Sequence, residues 1–407
     1  MGNGEQIYEM SSIVSFSGSP TPHTPHPNAM KALLLGLTTD PISAAQHEPF
    51  ADERRLLRRQ GDLTVQHVRA KNIIEMGEAC LQHDSDVVFF FPSWRENADV
   101  VTRTFQALRQ EFPNRQLIFV DPFAQASSNY FSVLPYVDRF LKRQRLQNVA
   151  DYQKSFVGGC EFVEFIARQW GAELRGWFVG SAVPVAYEHR IASGWNLGTA
   201  RRFRKALRQP RFFPKRPARN KTHKNIDVFC RLALGPKRQQ EWYCQYRMAA
   251  VAALEPLASD YQLAASARFV EEGLIPQSQY LRELKHSRLV FSPFGWGETC
   301  WRDFDAICND CLLVKPSMAH LDTQPNIFIE NETYVPVRWD FADLEEKCRY
   351  YLERPEEIAR IVGNARRVYT DYLEKGGFVN AIAQSLSVPV NNAVPIVQNA
   401  NLGIQNS

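Results

Sequence analysis

Asp86-Val-Val-Phe-Phe-Phe91, closed by Pro92, is an unbroken apolar run of strand length. A strand with one wet face alternates apolar and polar residues. This one does not, so both of its faces must be covered, as in a parallel sheet with helices on either side. The flanking sequence supplies the cover. Val100 to Phe112 has helical spacing, and Gln116-Leu-Ile-Phe-Val120 is a second buried strand ending at Asp121-Pro122. Upstream, Lys31 to Leu37 reads as the first strand, Leu63 to Val68 as a short one, and Ile73 to His83 as a helix. Strands and helices alternating across short loops predict an α/β fold with a doubly wound parallel sheet. Asp138 to Trp170 reads as largely helical, carrying the basic cluster Arg139, Lys142, Arg143 and Arg145.

The alternation then stops and restarts. Arg201 to Lys224 holds eleven Lys or Arg, three prolines and no acid, and reads as a basic linker or exposed loop. Beyond it, Asn225 to Phe229, Tyr261 to Ala265, Arg288 to Ser292, Cys311 to Val314 and Glu332 to Val337 read as strands with helices between. A chain of 407 residues is long for one core and comfortable for two. The expected organisation is therefore a disordered extension over residues 1–29, a first domain over 30–208, a basic linker over 209–221, a second domain over 222–385 and a tail over 386–407. Both domains are expected to be Rossmann-like and to face each other across a cleft, with the helix near Pro355 to Leu373 close to the interface.

With 44% apolar and 23% charged residues, most of the chain has the composition of a folded domain. A net charge of +4 argues against a dedicated nucleic-acid binder. The basic run has three readings: a solvated surface, a patch for anionic headgroups at a membrane surface, and, least supported, a nucleic-acid contact. Of eight cysteines only Cys308 and Cys311 form a CxxC pair, and nothing completes a zinc set, so buried or half-buried thiols in a reducing compartment are expected. No apolar run reaches membrane-spanning length, and Met1 to Ala29 lacks the pattern of a signal peptide. A cytoplasmic protein, peripheral to a membrane at most, is the expectation.

The segment Ser292-Pro-Phe-Gly-Trp-Gly-Glu-Thr-Cys-Trp-Arg-Asp-Phe-Asp-Ala-Ile307 carries the chemistry. A buried strand ends, a loop containing Gly295 and Gly297 turns, and a helix begins near Thr299. Ligands of open α/β sheets bind outside the carboxyl ends of strands, and a new helix offers its unpaired N–H groups to phosphate. Arg302, one turn in, adds a forked cation for a diphosphate, and Glu298 and Asp305 supply acceptors for hydroxyls. A plain strand–loop–helix with Arg302 in a surface ion pair accounts for the same residues. After the first strand of the second domain, Arg231 and Lys237 form a second candidate phosphate site or, equally, a solvated basic turn.

Residues Gly297, Glu298, Thr299, Arg302, Phe304, Asp305, Ala306 and Cys311 to Val314 resemble the donor-binding motif of exostosin-like and related group-1-like glycosyltransferases. The stretches Tyr334 to Asp340 and Asp343 to Glu346 resemble the end of such domains, so the likeness covers about Leu281 to Tyr372. It implies the two-domain fold known as GT-B and transfer of a sugar from a nucleotide-sugar donor to a glycan or lipid-linked acceptor. It also implies carboxylates on the ribose or sugar, Arg302 on the diphosphate, and no cofactor beyond the donor itself. The chain departs from the Glu-x7-Glu pattern of retaining transferases: Gly297 stands where the first Glu belongs, which favours inversion.

Inversion requires a general base from the first domain. Asp121 and Glu96 rank first, ahead of Asp40, Glu48 and His189, although each also suits a cap or turn. Asp84/Asp86 and Asp303/Asp305 are Asp-x-Asp triplets, but neither sits on a loop fit to hold a metal ion, so no metal site is expected. A nucleotide-sugar epimerase or phosphorylase of the same plan, or a non-catalytic glycan-binding relative, are the competing functions.

Overall fold

The computed structural model describes residues 29–38, 41–171, 180–207, 223–234, 242–266 and 275–386. Its first half holds strands β1 (Met30–Gly36), β2 (Leu63–Val68), β3 (Val87–Phe91), β4 (Gln116–Val120), β5 (Arg139–Lys142), β6 (Gln144–Leu146) and β7 (Ile191–Ser193). Six of them make one sheet in the order β2-β1-β3-β4-β5-β7, every pair parallel. β3 is the apolar run Val87–Phe91, and all five of its residues are buried. Phe90 packs on Phe105 of the Ala98–Glu111 helix, centroids 4.7 Å apart, and Phe89 meets Phe50 of the Pro41–Asp52 helix at 5.3 Å on the other face. Each phenyl so enclosed contributes roughly 1.5–3 kcal/mol.

The second half holds β8 (Ile226–Cys230), β9 (Leu263–Ala265), β10 (Ser287–Phe291), β11 (Leu312–Pro316), β12 (Leu321–Thr323) and β13 (Val335–Val337). Five form a second sheet in the order β13-β11-β10-β8-β9, again all parallel. The chain is thus α/β with two Rossmann-like units. In the second unit the chain steps from β8 to one side for β9 and to the other for β10. The crevice between β8 and β10 is therefore the topological switch point, where such sheets bind ligands.

The two units are pinned together. β6 and β12 pair antiparallel, and Arg145 holds Asp322 at 2.8 Å. Tyr369, on the Pro355–Glu374 helix, donates to the Gly198 carbonyl at 2.5 Å, so that helix lies at the interface as expected. The Gly377–Leu386 helix packs on the first sheet's layer: Phe378 meets Phe50 at 5.0 Å and Trp195 at 5.1 Å. Among the described residues no helix is long and apolar enough to cross a membrane. All eight cysteines are free thiols, buried or half-buried.

Two readings of the sequence are corrected. Asp138 to Trp170 is not largely helical: it contains β5, β6 and short 3-10 turns, with an α-helix only at Glu161–Trp170. The basic cluster misled because Lys142 and Arg143 are buried, Lys142 against Asp121 and Arg143 donating to the Pro122 carbonyl. Arg201 does not begin a linker either. Arg201–Leu207 is a helix whose Arg204 is buried against Glu53 and donates to the Leu373 carbonyl. The linker expected over 209–221, and residues 1–28 and 387–407, lie outside the described residues.

Candidate functional site

The loop after β10 is built around two polar clamps. Asp303, fully buried, accepts from the Cys300 amide at 2.9 Å, from Lys315 Nζ at 3.2 Å and from the Ser292 hydroxyl. This ties the start of the Trp301–Cys308 helix to β10 and β11. Arg302 is the second clamp. Its Nε donates to Ser292 Oγ at 3.2 Å, Nη1 to the Arg231 carbonyl at 3.0 Å and Nη2 to the Pro293 carbonyl at 3.3 Å. The guanidinium therefore bridges the carboxyl ends of β8 and β10, at the switch point. The alternative reading, a surface ion pair, does not hold: among the described residues Arg302 makes its hydrogen bonds to neutral acceptors.

Gly297 has to be a glycine because backbone occupies its side-chain space, whereas the space beside Gly295 is filled by the end of a side chain. A methyl at Gly297 would overlap the backbone carbonyl of Ala124, in the loop after β4. One at Gly295 would overlap the guanidinium of Arg247. The loop of the second unit thus presses directly on the carboxyl end of the first sheet. Gln144 on β6 completes this seam: it donates to Glu298 Oε2 at 3.2 Å and accepts from the Thr299 hydroxyl at 2.9 Å. Glu298 is 1% exposed, and burial raises its carboxyl above the ordinary glutamate value. Its Oε1 has no hydrogen-bond partner among the described residues.

The other expected residues are distributed differently. Arg231 contributes its carbonyl to the crevice, while its guanidinium forks onto Glu283 at 2.8 and 3.0 Å and donates to the Ala265 carbonyl at 2.6 Å. A permanent carboxylate partner makes it a wall of the second unit. Lys237 and Asp40 lie outside the described residues. Asp305 faces the first unit, paired with Arg202 at 2.6 Å beside a cavity of about 390 Å³ that Phe203, Gln277 and Leu281 also line. It is not at the crevice.

Asp121 is not placed to act as a base. It is fully buried, takes Lys142 Nζ at 2.6 Å and the Ser128 hydroxyl at 2.6 Å, and has no face open to a substrate hydroxyl. Glu96 is different. It is half-buried in the loop after β3, and desolvation raises its carboxyl above the ordinary value. The loop is fixed by Tyr130, whose hydroxyl lies 2.9 and 3.0 Å from the carbonyls of Ser93 and Glu96. Two residues before Glu96, Trp94 is 41% exposed and packs edge-on against Trp296 of the Gly295–Gly297 loop, centroids 5.8 Å apart. Glu96 thus lies two residues from the tryptophan that touches the second unit's loop, while its own carboxylate interacts with the Ile73 backbone of the first unit.

Arg247 and Gln144 are the residues that sequence reading missed. Arg247 lies within a helical stretch with no motif around it, and Gln144 lies in a segment read as helix. Only the closing of the two sheets brings them to the loop.

No family model matches the chain, and no curated protein does. Among solved structures it is similar to an alpha-glucosyltransferase in complex with UDP, at 9% identity, covering 87% of this chain and 100% of that one, TM-score 0.46. It is also similar to a Staphylococcus aureus MnaA–UDP structure, at 10% identity over 87% and 96% of the two chains, TM-score 0.43. A third is a UDP-N-acetylglucosamine 2-epimerase from Listeria monocytogenes described as putative, at 10% identity over 85% and 94%, TM-score 0.43.

Proposed function

We propose that the chain is an inverting, metal-independent glycosyltransferase. In this reading it moves a sugar from a nucleotide-sugar donor to a glycan or lipid-linked acceptor. The observation that carries this reading is Arg302, held across the switch-point crevice with no carboxylate partner among the described residues, beneath a loop seated on the opposite sheet's strand ends. The donor's diphosphate lies in that crevice, against Arg302 and the first turn of the Trp301–Cys308 helix. Glu298, enclosed in the seam with Gln144, positions the loop that faces the donor. The acceptor's hydroxyl meets Glu96 from the first unit, with Trp94 and Trp296 as an apolar wall.

In the reaction the acceptor oxygen bonds to the anomeric carbon from the face opposite the diphosphate. Glu96 takes its proton, the bond to the phosphate oxygen breaks, and the electron pair leaves with the diphosphate. Arg302 stabilises that developing charge. The seam between the units excludes the water that would otherwise hydrolyse the donor.

Glu96→Gln keeps the shape and removes the base. We expect kcat to fall by about 100-fold or more, within the range of general-base catalysis, with the affinity for nucleoside diphosphate unchanged. A raised carboxyl value puts the acid limb of the wild-type pH–rate profile above the ordinary glutamate range. Activity is lost as pH falls through it, and the limb disappears in the variant. An unchanged kcat would remove Glu96 from the mechanism. Product analysis with radiolabelled donor separates transfer from epimerisation, since only transfer requires an acceptor.

Transfer is expected to continue in excess EDTA. Fixed guanidinium charge at the diphosphate leaves little for a divalent ion to add, and Asp303 is already tied to Lys315. Complete loss of activity that Mn²⁺ or Mg²⁺ restores would refute the metal-free reading.

A further inference from the structure

Arg247, on the Trp242–Ala252 helix, reaches the same two loops as Arg302. Its Nη1 donates to the Ala233 carbonyl at 3.0 Å, two residues beyond the carbonyl that Arg302 takes after β8. Its Nη2 fills the side-chain space of Gly295, two residues beyond the Pro293 carbonyl that Arg302 takes after β10. Two guanidiniums thus lie side by side across one crevice. Among the described residues neither has a carboxylate partner, and the buried Nε of Arg247 has no hydrogen-bond partner. Burial first, and Arg302 second, oppose the charge on Arg247.

Two like charges taken out of water next to each other are costly unless an anion lies between them. Asp303 does not serve: it is held by Lys315 and the helix start. Arg231, the cation the sequence pointed to, is neutralised by Glu283. We infer that Arg247 and Arg302 together form an anion site for a phosphate or diphosphate group, with Arg247 in the role that sequence reading gave to Arg231. That the anion is the donor's diphosphate rests on the transferase reading; the site itself does not.

Inorganic pyrophosphate is the probe, bound to the full chain and followed by calorimetry and thermal unfolding. The wild type binds it and melts at a higher temperature in its presence. Arg247→Met keeps the length of the side chain and removes the charge. Its affinity for pyrophosphate falls by about tenfold to a hundredfold, the scale of a lost hydrogen bond to a charged group. Its melting temperature without ligand rises, because the repulsion with Arg302 is gone. A merely structural arginine gives the opposite sign. Arg247→Lys retains the charge without the fork and binds with intermediate affinity. Failure of the wild type to bind pyrophosphate, unchanged affinity in Arg247→Met, or a lowered melting temperature in Arg247→Met overturns the assignment. Pyrophosphate binding without turnover of any nucleotide sugar leaves the anion site standing and sinks the transferase reading. Turnover by Arg247→Met at the wild-type KM for donor does the reverse.

Discussion

Asp121→Ala is expected to destabilise the chain by about 3–5 kcal/mol, with its effect on folding rather than on the chemical step. The substitution leaves Lys142 Nζ fully buried, hydrogen-bonded among the described residues only to the Ser127 carbonyl at 2.6 Å, with the more distant Glu298 as its remaining counter-charge. It also removes the acceptor of the Ser128 hydroxyl, which itself holds the Tyr130 amide at 3.1 Å. A natural domain has roughly 5–15 kcal/mol of stability, so the loss is a large part of the total. Urea unfolding measures it. Asp121→Ala combined with Lys142→Met removes both charges and is expected to recover most of the stability, since a buried pair replaced by apolar groups is often neutral. If Asp121→Ala were instead fully stable and catalytically dead, Asp121 would be the base after all.

The same residue shows why a site is harder to read from sequence than a fold. An aspartate directly after a buried strand has the right address for a catalytic group, since α/β sheets bind ligands there. Whether it faces substrate or core depends on Lys142, twenty-one residues on, in a stretch whose four cations looked like the wet face of a helix. The strands were legible because burial on both faces writes itself into consecutive residues, as in Val87–Phe91. The loop at Gly295–Gly297 was legible for a similar reason, its strand, turn and helix start being contiguous. Arg247 and Gln144 were not. They act through contacts made only when β8 lies beside β10 and β6 beside β12, and neither pairing leaves a local pattern. Arg231 failed in the reverse direction: its position in the sequence is right for a phosphate, but Glu283, fifty-two residues later, takes its charge.

Arg302→Ala is expected to weaken binding of nucleoside diphosphate by about 100-fold or more, while substitutions at Glu96 leave it unchanged. Arg302 stands at the N-terminal turn of its helix, where dipole and guanidinium act on the same anion. Its N–H groups go to the Arg231 and Pro293 carbonyls and to Ser292 Oγ, at 3.0 to 3.3 Å. These are bonds to neutral acceptors, and a phosphate oxygen competes with them as a charged one, each such bond being worth roughly 1.5–3 kcal/mol. Losing two of them accounts for the expected drop. Arg302→Lys is expected to fall in between, because a point charge cannot span β8 and β10 as a planar fork does. Removing the side chain also leaves two carbonyls unsatisfied, so a modest loss of thermal stability accompanies the loss of affinity. Calorimetry with a panel of nucleoside diphosphates separates the two effects, performed well below the melting temperature of each variant. A folded Arg302→Ala chain that binds its preferred diphosphate as tightly as the wild type would place the donor elsewhere, and the cavity at Arg202 and Asp305 would be the next place to look.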